Sequence, residues 1–275
     1  MSENTPTRPV LVAGGAGKTG RRVAERLEAL GESVRLASRS TPVRFDWDDP
    51  STWEAAVDGV SGAYLAYVPD LAFPGAVETI DAVGAVLARH GVERVVLLSG
   101  RGEEGALAAE DALASHVPTA RVVRGAWFAQ NFTEGMFADE IAEGGLALPV
   151  SPSVREPFVD ADDLADVIVT LLRDAATAGR RVDVTGPELL TFAEVVALVG
   201  DPTGPTVELT TLGPAEYVDR LVTVGLAPEE AHGMLGLFQE LFDGRNEHTT
   251  DTVETYLGRP ARTVREVLDR TAVPR

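Results

Sequence analysis

A glycine-rich loop near the N-terminus constrains this chain more than any other feature. The loop, Gly14-Gly15-Ala16-Gly17-Lys18-Thr19-Gly20, follows the apolar run of residues 9–13 and precedes a helical pattern with Val23, Leu27 and Leu30 on one face. A strand, a glycine turn and a helix in this order are the setting that a dinucleotide-binding loop requires. Glycine lets the backbone approach a pyrophosphate, and the helix offers unpaired N–H groups to that anion. The predicted cofactor-binding residues are Gly14, Gly15, Gly17, Lys18, Thr19 and Gly20. The alternative is a glycine turn that binds nothing.

The end of the second predicted strand indicates which dinucleotide binds. Residues 33–37 are typical of a strand, after which an NAD-binding chain places an Asp or Glu on the ribose 2′-OH. Here Ser38-Arg39-Ser40 follows, without a carboxylate. Arg39 is placed to pair with a 2′-phosphate through its planar guanidinium, with Ser38 as a hydroxyl donor. Lys18, the only lysine of the chain, would add a second positive charge. We therefore predict NADP(H) rather than NAD(H); the alternative is that Arg39 is a solvated surface arginine.

The third predicted strand, near residues 43–45, ends in Asp46-Trp47-Asp48. Asp46 is a candidate acceptor for the adenine amine, and Trp47 is a candidate to flank the adenine ring. The alternative is that Asp48 or Asp49 caps a helix that begins near Ser51. The sequence favours neither interpretation.

Charge and composition restrict the partners of the chain. The formal net charge is -19, and no basic cluster offsets it, so we expect no nucleic-acid or membrane partner. With no cysteine there are no disulfides, thiolate catalysis or Cys-ligated metal, and four scattered histidines do not suggest a metal site. No apolar run is long enough to span a membrane, and residues 1–6 lack the apolar stretch of a signal peptide. We expect a cytoplasmic monomer or homodimer.

Strand and helix patterns alternate up to about residue 125, which predicts a doubly wound parallel sheet of α/β class. Helical patterns dominate afterwards, over residues 127–143, 162–172, 192–199, 215–224, 228–242 and 264–271. Short strand patterns lie near residues 181–184 and 206–209, and Thr191 and Glu194 form a capping box. The predicted organisation is a Rossmann core over 1-125 and a smaller, mainly helical substrate lobe over 126-275, with some elements returning to the sheet.

Polar and aromatic residues follow the fourth, fifth and sixth predicted strands, at the sheet edge where ligands of open α/β sheets bind. The candidates for catalysis are Tyr67, Ser99 and Arg101, of which Tyr67 and Ser99 are also expected to touch the cofactor. The candidates for the substrate pocket after the sixth strand are Trp127, Phe128 and Asn131.

Each of these candidates also has a structural interpretation. Trp127 and Phe128 would equally serve as core packing, and Ser99 as a turn residue. Arg101 would equally pair with Glu103 or Glu104.

No tyrosine of the chain is followed three or four residues later by a lysine, because the only lysine lies in the glycine loop. The chain therefore lacks the Tyr-x-x-x-Lys pair that protonates a carbonyl oxygen. Tyr67 is the only tyrosine expected at a strand end, which makes it the best remaining proton donor. We expect acceptors that need little or late protonation, such as iminium ions or quinones.

Five segments together resemble the NmrA-like family of atypical short-chain dehydrogenases/reductases over nearly the whole chain. They are the loop of residues 14–20, Leu98-Ser99-Gly100-Arg101-Gly102-Glu103, Trp127-Phe128-Ala129-Gln130-Asn131-Phe132, Pro157-Phe158-Val159-Asp160-Ala161-Asp162-Asp163 and Leu257-Gly258-Arg259-Pro260. The resemblance implies a Rossmann fold, an NADP(H) cofactor and a place for Phe158 in the substrate pocket.

The family includes reductases of quinones, triarylmethane dyes and ergot-type iminium ions, as well as regulators that bind dinucleotide without turnover. Many of these reductases carry a lysine in the helix after the fifth strand, where this chain has Glu110-Asp111. The resemblance thus implies an NADPH-dependent reductase of a small or medium conjugated acceptor, an iminium, quinone or enone. The alternative is a non-catalytic NADP(H) sensor that acts through a protein partner.

Overall fold

The computed structural model describes residues 8–199 and 207–271. Its strands are β1 Val10–Ala13, β2 Val34–Ser38, β3 Val43–Arg44, β4 Gly62–Ala66, β5 Val95–Gly100, β6 Arg121–Gly125, β7 Gly145–Leu148, β8 Arg155–Glu156, β9 Arg181–Val184, β10 Leu190–Thr191 and β11 Glu208–Thr211. Its α-helices are α1 Lys18–Ala29, α2 Trp53–Val57, α3 Ala76–Arg89, α4 Glu104–His116, α5 Met136–Ala142, α6 Ala161–Arg173, α7 Phe192–Val199, α8 Pro214–Thr223, α9 Pro228–Leu241, α10 Thr252–Leu257 and α11 Val264–Thr271.

Seven strands form one sheet in the order β3-β2-β1-β4-β5-β6-β9. The pairs β1–β2, β1–β4, β2–β3 and β4–β5 are parallel. The chain starts in the middle of the sheet, moves outward through β2 and β3, and then returns to β4 on the other side of β1. This reversal of direction next to β1 is the switch point at which doubly wound sheets bind ligands.

Helices cover both faces of the sheet. Leu11, Leu65 and Leu97 point to one face, where they form a buried cluster with α2, α3 and α4. Neighbouring strand residues point to the other face, as successive residues of a strand must. On that face Tyr64 donates a hydrogen bond to Thr19 of α1, and α1 packs against α6. The fold class predicted from the sequence, a doubly wound Rossmann sheet with a helical C-terminal region, is confirmed.

The described residues divide into two compact units. The first consists of 8–100, 104–124 and 161–182, and the second of 101–103, 125–160, 183–199 and 207–271. The sequence places a single boundary at residue 125, whereas the units also assign 161–182 to the first. The reason lies in α6, which packs against α1, where Asp162 and Asp166 form ion pairs with Arg26.

The predicted helix over residues 127–143 is wrong in its extent. The structure has a 3-10 turn at Ala129–Phe132, and α5 begins only at Met136. Gly135 between them has a φ of +88°, which a continuing α-helix does not accept. Strand β7 then follows and pairs in parallel with β11, a strand that starts at Glu208. Residue 206, where the sequence begins that strand, lies outside the described residues, as do residues 1–6.

No helix in residues 8–199 and 207–271 is long and apolar enough to cross a membrane. Over the same residues, no three His, Asp or Glu side chains come together in a way that would hold a metal ion.

Candidate cofactor and substrate sites

The glycine loop connects β1 to α1 in the first unit, and two of its glycines are fixed by geometry. Gly14 has a φ of +83°, in the left-handed region that favours glycine. A Cβ on Gly20 would lie 2.2 Å from the carbonyl oxygen of Gly14, so the helix packs against the loop only with glycine at this position.

Gly17 of the same loop is exposed and less crowded than Gly20. It is the N-cap residue of α1 and has no side chain that bonds to the helix, and a Cβ there would meet only the Gly14 oxygen, at 3.2 Å. The first N–H groups of α1 therefore stand behind a surface without side chains. Such a surface suits a pyrophosphate, because a helix N-terminus attracts an anion, and the contact of the loop with the cofactor stays a prediction. Lys18 is the first residue of the helix and is half-buried.

Thr19 of the loop differs from its neighbours. Its side chain is buried and accepts a hydrogen bond of 2.8 Å from the Tyr64 hydroxyl. Burial raises the pKa of that phenol, so Tyr64 stays protonated and keeps the bond. In the described structure the Thr19 hydroxyl thus joins α1 to β4, and its predicted contact with the cofactor stays a prediction.

Arg39 follows β2 and is exposed. Its guanidinium makes no hydrogen bond and no ion pair within the described part of the chain. The Ser38 hydroxyl lies 3.3 Å from the hydroxyls of Ser40 and Thr41, and it accepts a bond from the Ser40 N–H. The end of β2 therefore offers an exposed cation beside hydroxyl groups, which is the chemistry that a phosphate needs.

The two candidates after β3 have partners within the protein. The Arg44 guanidinium, 3.0 Å from Asp46, holds the pKa of that carboxyl below its usual range. Trp47 is buried, and its indole N–H donates to the Ala66 oxygen at 3.1 Å. The alternative of a helix cap is found at Asp49, which accepts from the Ser51 N–H. Contacts of Asp46 and Trp47 with adenine stay predictions.

Tyr67 follows β4 and is half-buried, with its ring 5.1 Å from that of Trp47 in an edge-on arrangement. Its hydroxyl makes no hydrogen bond with any residue that the structure describes, which leaves the phenol O–H available to a ligand. Several predicted site residues follow neighbouring parallel strands, so the first unit brings them to one edge of the sheet. They are the glycine loop, Ser38, Arg39, Trp47 and Tyr67.

Ser99, at the end of β5, is engaged by a buried ion-pair cluster. Its hydroxyl donates to Glu110 at 2.8 Å, and Glu110 is fully buried in α4. Arg124 binds both oxygens of this carboxylate, at 2.8 and 2.6 Å, and Arg181 lies 3.5 Å from it. Glu110 therefore positions Ser99. Because the hydroxyl hydrogen of Ser99 is donated to Glu110, the Ser99 oxygen can only accept a hydrogen bond from any further partner. Asp111, the neighbouring residue, is exposed and pairs with Arg181.

Arg101 lies in the second unit and is buried. Its guanidinium donates to the backbone oxygens of Asn246 and His248, at 2.9 and 3.0 Å, and its Nε lies 3.6 Å from Asp183. The alternative prediction is that Arg101 pairs with Glu103 or Glu104. These contacts join Arg101 to other residues instead. They anchor the turn after β5 to residues 246–248.

Trp127 lies against a cluster of phenylalanines in the second unit. Its ring centroid is 5.3 Å from those of Phe238 and Phe242, and farther rings complete the cluster. Phe158 is fully buried and packs edge-on against Phe132 and Phe192. Phe158 thus has the packing of a core residue, and its contact with a substrate stays a prediction.

Phe128 and Asn131 are half-buried, as Trp127 is. Phe128 forms an isolated parallel bridge with Val159, and Asn131 donates its N–H to the Phe128 oxygen at 3.0 Å. The second unit therefore brings three predicted pocket residues together after β6.

Sequence reasoning missed Glu156, in β8. This carboxyl is 3% exposed, one oxygen accepts from the Trp127 N–H at 3.2 Å, and the other has no partner among the described residues. Burial raises the pKa of Glu156 to about 7, against the lowering effect of the Trp127 N–H and Arg101. The available signal was a charged residue directly before the apolar segment Pro157-Phe158-Val159.

A parallel sheet with a glycine loop after its first strand and helices on both faces defines the Rossmann class of nucleotide-binding proteins. No protein-family model matches the chain. Among known sequences, "Uncharacterized oxidoreductase YesF" of Bacillus subtilis is 31% identical over 268 residues, covering 94% of this chain and 93% of that protein. "Festuclavine dehydrogenase easG" of Aspergillus fumigatus is 28% identical, covering 89% and 92%.

Among solved structures, triphenylmethane reductase of Citrobacter sp., complexed with NADP(H), superposes with a TM-score of 0.78 at 17% identity, covering 96% of this chain and 99% of that one. At that identity the likeness shows the fold. With the full-length relative from Bacillus subtilis, the chain belongs to the NmrA-like family of atypical short-chain dehydrogenases/reductases.

Proposed function

We propose that this protein is an NADPH-dependent reductase that reduces a small or medium conjugated acceptor, an iminium, quinone or enone. The names of its relatives support a redox reaction, since one is an oxidoreductase and another a festuclavine dehydrogenase. The similar fold of a triphenylmethane reductase complexed with NADP(H) supports the choice of cofactor.

The observation that carries the proposal is the exposed Arg39 guanidinium at the end of β2. It makes no hydrogen bond and no ion pair within the described residues, although it is near enough to the Asp46 carboxyl to help lower the pKa of that group, and no carboxylate directly follows that strand to hold a ribose 2′-OH. A 2′-phosphate would supply a direct partner, through charge-assisted hydrogen bonds to a planar donor. The open cradle at Gly17 receives the pyrophosphate of the same molecule.

The bound cofactor supplies a hydride. The residues of this chain bind the cofactor, orient the acceptor and protonate the product. Lys18 and Arg39 bind phosphates, and Trp127 and Phe128 offer aromatic surface to a flat acceptor. Tyr67 is the candidate proton donor, because its hydroxyl has no partner among the described residues. Ser99 is a weaker candidate, because its hydroxyl already donates a hydrogen bond to Glu110.

The absence of a second lysine restricts the acceptor. An unactivated ketone becomes an alkoxide and needs a proton in the transition state, for which a lysine-assisted phenol is the usual source. Conjugated or cationic acceptors delocalise or neutralise the added charge. The proposed partner is thus a small molecule, and we place the protein in the cytoplasm, as a monomer or homodimer without nucleic-acid contact.

The test is a titration of NADPH and NADH into the wild type and Arg39→Ala. We expect the wild type to bind NADPH about tenfold or more tightly than NADH, because one charge-assisted contact contributes about 1.5–3 kcal/mol. Arg39→Ala should lose most of this preference and leave NADH binding unchanged. Arg89→Ala is the matched control, since Arg89 is an exposed arginine that ends α3 and pairs with Glu54. Equal affinities for the two cofactors in the wild type would overturn the assignment.

A further inference from the structure

An aspartate lies near the exposed Arg39 guanidinium that is proposed to bind the 2′-phosphate. Asp46 follows β3, the strand next to β2. The pKa of its carboxyl is lowered by a hydrogen bond from Arg44 and also by the charge of Arg39, so Asp46 and Arg39 are within electrostatic reach of each other. A carboxylate in this place would repel a phosphate. The proposed phosphate site therefore needs a group that balances the charge of Asp46.

The backbone of Asp46 is fixed on both sides of the residue. Its N–H donates to the Thr52 hydroxyl at 3.0 Å, and its carbonyl oxygen accepts from the Trp53 indole at 2.7 Å. The side chain is 14% exposed, and its Oδ1 accepts from the Asp48 N–H at 3.3 Å. The carboxylate thus has little freedom to turn away from a phosphate, so its charge has to be compensated in place.

Arg44 supplies this compensation. Its guanidinium lies 3.0 Å from Oδ2 of Asp46 and 3.7 Å from Oδ2 of Asp49, and its side chain is 56% exposed. The register of the sheet pairs Arg44 with Ser38, so both side chains leave the same face of the sheet. The ion pair between Arg44 and Asp46 therefore stands on the face that carries the Ser38 hydroxyl.

The turn after β3 has two further carboxylates, Asp48 and Asp49. Asp49 accepts from the N–H and the hydroxyl of Ser51, and Asp48 is exposed. Among residues 38–49 the only positive charges are those of Arg39 and Arg44. Loss of Arg44 would leave the aspartates of this turn opposed by Arg39 alone.

We propose that Arg44 determines the preference for NADP(H) over NAD(H) by neutralising Asp46, so that a 2′-phosphate can approach Arg39. Arg44 acts through Asp46 and is not itself a phosphate ligand. This inference rests on the proposed function and names a residue that sets its cofactor specificity.

The test is a titration of NADPH and NADH into the wild type, Arg44→Ala, Asp46→Asn and the double variant. Arg44→Ala should lower the affinity for NADPH about fivefold and leave that for NADH unchanged, which is the effect of one uncompensated charge near contact distance in water. Asp46→Asn should raise the affinity for NADPH by about the same factor. The double variant should bind NADPH as the wild type does, because it lacks both charges.

Controls separate charge from structure. Arg44→Lys keeps the positive charge and should retain the wild-type preference. Arg89→Ala should change neither affinity, since Arg89 is an exposed arginine that pairs with Glu54 on other elements. The difference between wild type and Arg44→Ala should shrink in about 1 M salt, because the Debye length is then about 3 Å. Circular dichroism identifies the variants that fold.

An unchanged preference for NADPH in folded Arg44→Ala would overturn the inference. So would a double variant that binds NADPH as weakly as Arg44→Ala does, because that result makes Arg44 a direct phosphate ligand. Loss of NADPH and NADH affinity by the same factor in Asp46→Asn would also overturn it, since it assigns Asp46 to the adenosine that both cofactors share.

Arg39→Ala separates the failure of this inference from the failure of the proposed function. If the wild type prefers NADPH, and Arg39→Ala removes this preference while Arg44→Ala does not reduce it, only the inference fails. If the wild type binds both cofactors equally and Arg44→Ala shifts binding toward NADH, the proposed NADPH assignment fails and the role of Arg44 stands.

Discussion

Two buried glutamates, one in each unit, show how surroundings decide what a carboxyl group does. Glu110 is bound by Arg124 through both oxygens and by Ser99, so its charge is compensated within the fold. Glu156 has one backbone donor and one oxygen without a partner among the described residues, and burial raises its pKa to about 7. The charge of the first carboxyl is thus compensated within the fold, whereas the second carboxyl has a raised pKa.

The raised pKa of Glu156 predicts a pH dependence of stability. The folded state keeps this proton up to about pH 7, whereas the unfolded state loses it near pH 4.5. The folded state thus binds more protons in that window, so the free energy of unfolding should fall as pH rises from about 4.5 to about 7. Glu156→Gln should remove this fall in the free energy of unfolding. The fall is about 1.4 kcal/mol per pH unit, or about 3 kcal/mol over the window.

Denaturant unfolding of both proteins at several pH values measures this difference. Glu194→Gln is the control of opposite sign, because Thr191 lowers the pKa of the exposed Glu194 carboxyl. The folded-state benefit of that carboxylate is present above about pH 4.5 and is lost on acidification. A difference between wild type and Glu156→Gln that does not change with pH would contradict the assignment of the shift.

The ion pairs of Glu110 predict an effect of this residue on stability. Glu110→Ala leaves Arg124 beside an empty buried site, and breaking a buried pair in this way costs about 3 kcal/mol. Asp111→Ala, next to it on the exposed side of α4, should change stability by about 0.5 kcal/mol or less. Thermal unfolding compares the two variants. Equal effects would show that the buried cluster does not stabilise the fold.

At the scale of elements, two glycines of the loop are needed for different reasons: Gly17 for cofactor binding and Gly20 for folding. A Cβ on Gly17 meets only the Gly14 oxygen at 3.2 Å, whereas a Cβ on Gly20 would lie 2.2 Å from the same oxygen. Gly17→Val should therefore leave the fold intact and abolish NADPH binding, because its side chain occupies the space of the pyrophosphate.

Gly20→Ala is the matched comparison, and it should lower the unfolding temperature because α1 must move away from the loop. Circular dichroism and cofactor titration measure the two effects. Retained NADPH binding in Gly17→Val would show that the phosphates lie elsewhere.

The elements that sequence predicts well are those whose pattern is local. Apolar runs placed β1 and β2 within a residue or two of their observed ends, and the Thr191 and Glu194 capping box is confirmed by both of its hydrogen bonds. The second unit was harder to predict. Gly135 interrupts a pattern that is helical on both sides, and β7 exists because it pairs with β11, about 60 residues later.

The candidate sites show the same limit. The glycine loop and Arg39 follow from strand ends that the sequence marks, whereas the partners of Ser99 and Glu156 come from other elements. Sequence alone does not show which partners a buried carboxyl has. It does not distinguish Glu110, which lies in an ion-pair cluster, from Glu156, which does not. Only the packing of α4 and β8 reveals the difference.

At the scale of the molecule, the two units have different chemistry. The first has a glycine cradle, the Arg39 guanidinium and the Tyr67 phenol along one sheet edge. The second has an aromatic cluster around Trp127 and the buried Glu156. The proposed reductase needs a phosphate-bearing cofactor, which suits the groups of the first unit, and a flat acceptor, which suits the aromatic cluster of the second.

The most direct test of this account is NADPH oxidation, followed by absorbance, with 1,4-naphthoquinone, an iminium salt and cyclohexanone as acceptors. We predict rapid oxidation with naphthoquinone and very slow oxidation with cyclohexanone, because the chain has no lysine-assisted phenol to protonate an alkoxide. Tyr67→Phe should slow the reaction with naphthoquinone. Fast reduction of cyclohexanone that survives Tyr67→Phe would contradict the proposed chemistry, and tight NADPH binding without oxidation by any acceptor would indicate a sensor rather than a reductase.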